Sequence, residues 1–213
     1  MNIGRQWTDR LRIWAAQFDK HFILESVPLA VSFFTTMDQL TFAAALEGDF
    51  SPAPAGTRWG RKWEYGWFRT SFTVPEAWAS QRLVLQLRVG EEMLVWVNGQ
   101  EAGAIDKKHS YITLTRNARP GDRFDIVAEC YAGHGVRNEG AGPVGPDEET
   151  VPEPPEQQVT VGTSTVAVWN ETVYQAAMDY RTLFSLVQKL PDKSLRAMKI
   201  VKALKQFTLI ADF

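Results

Sequence analysis

The chain has 213 residues, 45% of them hydrophobic, and a formal net charge of −2. That length allows one or two domains with a packed core. The balanced charge, without a basic stripe, excludes the footprint of a nucleic-acid-binding protein, and no window approaches the roughly 20 apolar residues of a membrane span.

The opening MNIGRQWTDRLRIW has no apolar stretch followed by small residues, so no signal peptide is expected and the cytoplasm is the expected compartment. Residues 5–24 predict a helix, with Trp7, Leu11, Trp14, Ala15, Phe18 and Phe22 at helical spacing on one face. This stripe is expected to pack on the chain's own sandwich, which makes residues 1–27 a leading helix. Pro28 ends the segment, and residues 29–35 predict a first strand. Residues 37–46 read as a short helix or an irregular cover, and Ser51-Pro52-Ala53-Pro54-Ala55-Gly56 as a loop.

From 59 to 114, four runs alternate apolar with polar residues, the mark of strands with one face buried. Turn chemistry separates them at Pro75, Gly90-Glu91-Glu92, Asn98-Gly99 and Asp106-Lys107-Lys108. Asn98-Gly99 is a strong hairpin signal, because a type I′ turn needs positive φ at both central residues. Alternation puts Phe68 and Phe72 in the core and leaves Trp67 on the wetter face. After the turn Arg119-Pro120-Gly121-Asp122, residues 124–131 alternate again and carry Cys130. As the only cysteine it rules out an internal disulfide and fits a reducing compartment. Its place in a strand predicts a buried small hydrophobe.

Residues 133–158, rich in glycine, proline and acids, predict a long surface loop. A last strand is expected over 158–169, closing a sandwich domain of residues 28–169. The period then switches to 3.6. Asn170 is a helix cap, with Val173, Ala177, Tyr180, Phe184 and Val187 on one face. Ser194 caps a second helix with Leu195, Met198, Val201 or Ala203, and Phe207 toward the core, so residues 170–213 form a helical hairpin.

Trp59, Trp63, Tyr65, Trp67 and Phe68 crowd into ten positions. Sugar C–H faces stack on indoles, so Trp59, Trp63 and Trp67 are candidate carbohydrate-binding residues; large aromatics serve equally as core. Glu91, Glu92 and Asp106 invite a two-carboxylate glycosidase reading. That chemistry needs a pair roughly 5 Å apart across the scissile bond, which sequence spacing does not supply, and acids in turns are ordinarily solvated. Asp106 and His109 share a turn and are candidates for an interdomain or substrate-side contact. His21, His109 and His134 are scattered, without the paired spacing of a three-ligand zinc site.

The order WG…W…WF, VPEAW, then GEEMLVWVNGQEAGAID resembles the N-terminal domain of glycoside hydrolase family 38 α-mannosidases, in the cytosolic, vacuolar and bacterial subgroup. The resemblance is tightest over 59–114 and looser through the flanking helices. It implies an antiparallel jelly-roll, galactose-binding-like β-sandwich with no catalytic residue, metal or cofactor of its own. It also implies a parent enzyme that hydrolyses terminal α-mannosides of oligosaccharides with retention. Zinc, a His-x-His-x-Asp-type ligand strand and an aspartate nucleophile belong to a catalytic domain expected downstream. That domain would be the first partner, with the hairpin as connector; a homo-oligomer and an oligosaccharide are further expected partners. Two readings compete with this one: a free-standing carbohydrate-binding module and a structural oligomerisation domain.

Overall fold

The computed structural model describes residues 5–134, 156–191 and 194–211. Most of the expected 133–158 loop, and Asp192-Lys193 of the hairpin turn, lie outside the described residues. In chain order the first half holds α1 (Arg5–Gln17), β1 (Ile23–Pro28), β2 (Ser32–Thr36), α2 (Phe42–Leu46), β3 (Ser51–Pro52), β4 (Arg58–Trp59), β5 (Tyr65–Thr73) and β6 (Leu83–Gln86). Then come β7 (Met93–Val97), β8 (Gln100–Ile105), β9 (Ile112–Thr115), β10 (Arg123–Tyr131), β11 (Val159–Thr160), β12 (Thr165–Trp169), α3 (Glu171–Val187) and α4 (Leu195–Ile210). The chain divides into two compact units, Ser26–Val168 and the joined ends Met1–Glu25 with Trp169–Phe213.

The larger unit is an antiparallel sandwich. A six-stranded sheet runs β3-β2-β5-β10-β7-β8, a four-stranded sheet runs β1-β12-β6-β9, and β4 pairs with β11. The longest strands, β5 and β10, pair over their whole length from Arg123↔Thr73 to Tyr131↔Tyr65. Successive side chains point to opposite faces, so Phe68, Phe72, Ile126, Ala128 and Cys130 turn inward. They share one core with Leu83, Leu85, Val166 and Val168 of the four-stranded sheet and with Trp59 and Trp78. Each large apolar side chain buried this way contributes about 1.5–3 kcal/mol.

The outer face of the six-stranded sheet is not wet at its centre. Trp67 is 0% exposed and stacks on Trp96 at 5.5 Å between ring centroids. With Ala45 and Val127 they form a second cluster, against which Phe34, Leu40, Phe42 and Phe50 pack. Alternation alone puts Trp67 on the wetter side; residues 34–50 cover it. Within that cover, α2 forms because Thr41 accepts a hydrogen bond from the Ala44 N–H at 3.3 Å.

The leading segment departs from expectation at its end. The α-helix stops at Gln17, a 3-10 turn follows over Phe18–His21, and β1 begins at Ile23. β1 lies at the edge of its sheet, where Pro28 and the exposed Leu24 and Val27 are tolerated. The tip Asn98-Gly99 has φ of 52° and 78°, the turn the sequence predicts.

In the smaller unit, α1 and the turn after it pack on α3 and α4. The Tyr180 hydroxyl donates to the Leu11 carbonyl at 3.2 Å, and Arg181 Nη2 donates to Ala15 O at 2.9 Å. Phe18 packs on Tyr180 and Phe207 at 5.4 and 5.9 Å. Asn170 and Ser194 cap α3 and α4 through the Val173 and Ala197 N–H groups. On α3, Ala177, Tyr180, Phe184 and Val187 are buried as the spacing predicts. On α4 the buried positions are Ala197 and Leu204, whereas Leu195 and Met198 are exposed. The inward stripe of α4 is therefore rotated from the one read in the sequence.

Candidate functional site

One end of the sandwich gathers the loops at 60–64, 90–92, 106–109 and 132–134. Glu64, 7% exposed, organises the first of them: its Oε2 accepts from the Gly60 and Arg61 N–H groups at 3.0 and 2.8 Å. The chain then turns through Trp63 at φ 68°, and the Trp63 N–H donates to Gly133 O at 2.8 Å. A bulky side chain in the left-handed region is a real departure from ordinary backbone geometry.

The three candidate tryptophans fare differently. Trp59 is 3% exposed, and its Nε1–H donates to the Val89 carbonyl at 2.9 Å inside the core. Trp67 is fully buried, with its Nε1 unbonded among the described residues. Neither offers a ring face to a ligand, which corrects both assignments: alternation and aromatic crowding do not separate a core indole from a surface one. Trp63 is 44% exposed. Its ring lies 24° from parallel to Tyr131 at 6.4 Å and edge-on to His134 at 5.7 Å. Tyr131 in turn packs on Tyr65 at 4.9 Å.

That tier continues down the sheet. Glu129 follows Tyr131 on the same face of β10, opposite Trp67 on one side and Leu94 on the other. Its Oε1 is buried without a hydrogen-bond partner among the described residues, and burial pushes its carboxyl above the ordinary range. Glu129 and Tyr131 were not singled out from sequence. Only the β5–β10 register, pairing positions more than sixty residues apart, brings them beside Tyr65.

Asp106 and His109 close their turn on each other. Asp106 Oδ1 accepts from the Lys108 and His109 N–H groups, both at 2.6 Å, and from His109 Nδ1 at 3.1 Å. The His109 side chain, then these backbone bonds, hold the Asp106 carboxyl down at about 2. Lys107 pairs with Glu91 across the loops at 2.9 Å. Asp106 and Glu91 are thus engaged within and between turns. Cys130 is buried, and burial pushes its thiol up to about 12. Among the described residues no three His, Cys, Asp or Glu side chains come together as a metal site.

A family model described as alpha-mannosidase, jelly roll domain, matches residues 27–171. Alpha-mannosidase 2C1 of Homo sapiens is 28% identical over 193 residues, 88% of this chain and 18% of that protein. Alpha-mannosidase G of Dictyostelium discoideum is 21% identical over 183 residues, 83% of this chain and 16% of that protein. The chain thus spans less than a fifth of the length of these curated relatives. Among solved structures, a Ruminococcus gnavus beta-glucuronidase aligns over 69% of this chain and 29% of its own, with 15% identity and a TM-score of 0.46. With the family model covering both sheets of the sandwich, the chain belongs to the jelly-roll domain family of α-mannosidases.

Proposed function

We propose that this chain is a non-catalytic accessory domain of a cytoplasmic α-mannosidase. The observation that carries the reading is the extent of the match, 88% of this chain against 18% of the human relative. In this reading the parent enzyme removes terminal α-mannosides with retention, and zinc and the reacting groups reside in a separate catalytic domain of the same polypeptide. The accessory domain packs against that domain and supports oligomer contacts. Exposed apolar residues on α4 suit such a role: Leu195, Leu209 and Ile210 are 67%, 79% and 80% exposed, and groups of large exposed apolar residues mark interaction surfaces.

The test is an assay of the purified chain with an aryl α-mannoside, together with metal analysis. Neither turnover nor stoichiometric zinc is expected. Turnover accompanied by one tightly bound zinc per chain would overturn the reading. For the α4 surface, self-association or binding of a hydrophobic dye is expected; light scattering from a clean monomer at high concentration, without dye binding, counts against an interdomain role.

A further inference from the structure

We propose that the outer face of the six-stranded sheet at Trp63, Tyr65, Glu129 and Tyr131 binds a saccharide, stacking a pyranose on the aromatic tier and engaging its hydroxyls with the Glu129 carboxyl. Only the choice of a mannoside as first probe rests on the accessory-domain reading.

Three independent observations converge there. The first is the tier itself, with Tyr65, Tyr131 and Trp63 in successive contact at 4.9 and 6.4 Å. Trp63 and Tyr131 remain 44% and 39% exposed. Aromatic side chains of this size are ordinarily spent on cores. The second is backbone strain, since Trp63 sits at φ 68°. A glycine would adopt that conformation without cost, and strain of this kind persists where the surrounding structure enforces it and clusters at ligand sites. Here the 2.8 Å bond to Gly133 O enforces it, and the result is an indole held out beside Tyr131. The third is Glu129, next along β10, whose Oε1 is buried and unbonded among the described residues. A buried carboxylate oxygen without a donor is a cost to the fold.

These features select among ligand classes. An apolar protein surface laid over the tier would desolvate Glu129 further and supply no donor. An anionic ligand or a nucleic acid would meet Glu129 and the nearby Glu91 and Glu92, with Lys107 already paired to Glu91 at 2.9 Å. A neutral polyol with a C–H-rich face fits both halves. Its ring faces stack on the aromatics, while its hydroxyls donate to and accept from the carboxyl.

The experiment titrates the 213-residue chain with mannotriose and with cellotriose, read by tryptophan fluorescence and by saturation-transfer NMR from the aromatic protons. Saturable binding is expected with a dissociation constant on the order of 1 mM, as surface stacking gives. Trp63→Ala, Tyr131→Ala and Glu129→Ala should each weaken it about five-fold or more, with far-UV circular dichroism unchanged. Arg123→Ala, at the opposite end of β10, should leave it unaltered. Saturation transfer in the native chain keeps the proposal testable should a variant fail to fold. Binding of either trisaccharide that is lost in the tier variants supports the site. No saturable binding of either, or affinities unmoved by all three substitutions, overturns it. The accessory-domain reading stands or falls on the hydrolysis and zinc assays, so the two failures are separable.

Discussion

At the Asn98-Gly99 end of the six-stranded sheet the Asn98 side chain and N–H are matched. The Asn98 side chain accepts from the Asp125 N–H at 2.8 Å and donates to Arg123 O at 3.4 Å, while its backbone N–H reaches Asp125 O at 2.8 Å. Arg123 and Asp125 pair at 2.9 Å, and the Gly121 N–H donates to Val74 O at 2.9 Å. At the Trp63–Tyr131 end Glu64 and Asp106 tie their loops in the same way, but the tier beside them is left open. Aromatic rings stay exposed, a tryptophan occupies the left-handed region, and a carboxylate oxygen goes unbonded among the described residues. The same strands run into both ends, so the difference lies in what the loops carry. One end is closed by turn chemistry for its own sake; the other spends stability on presenting groups outward.

The comparison breaks first if the floor of the open end proves soft. A Cβ on Gly90 would collide with Cys130 Sγ, so Gly90→Ala should destabilise the chain by about 3 kcal/mol. Cys130→Ala in the same background should restore part of the loss, a coupling that chemical denaturation of the four-variant cycle would measure. Additive effects would show that the two positions do not meet.

Two tryptophans four residues apart sharpen the contrast next. Trp59→Phe removes a buried donor and leaves the Val89 carbonyl unmatched, at a cost of about 2 kcal/mol. Trp63→Gly relieves the left-handed backbone and gives up an exposed ring, so stability should stay within about 1 kcal/mol of the parent or rise. Equal losses in urea melts would mean that Trp63 is core after all. At the closed end, Asn98→Ala forfeits two side-chain bonds and the residue type that tolerates positive φ. A loss of about 1 kcal/mol is expected, and no change in the denaturation midpoint would refute the matching described above.

The smallest effect is a titration. The folded Asp106 carboxyl is lowered from its ordinary 3.8 to about 2, first by the His109 side chain. Its sign follows from linkage: a depressed folded pKa stabilises the turn above the ordinary carboxylate range, and that contribution is lost as pH falls through about 2. Carboxyl-detected NMR should place the Asp106 midpoint near 2, moving back toward its ordinary value in His109→Ala. A native midpoint near 4 would undo the assignment.

What was legible in the sequence was local. Asn98-Gly99, the Asn170 and Ser194 caps, the inward Phe68 and Phe72 and the buried face of α3 all depend on neighbours within a few residues, and each appears where the residues place it. What escaped depends on distant chain. Trp67 reads as half-exposed until residues 34–50 fold across it. β1 carries no alternation, because an edge strand with exposed Leu24 and Val27 needs none. The candidate site divides the same way: Trp63 stood out by composition, whereas Glu129 and Tyr131 join it only through the β5–β10 register.

Cys130 gives the sandwich a clock of its own. It is the only thiol in the chain, it lies at 0% exposure between the sheets, and its acidity is suppressed to about 12. Alkylating reagents attack the thiolate, so the closed sandwich should be invisible to them, and each labelled molecule records one excursion in which the sheets parted. The labelling rate, followed by mass spectrometry without any engineered probe, therefore reads how often the core opens. Repeating it with saccharide present asks whether occupancy of an outer face is felt on the inner one.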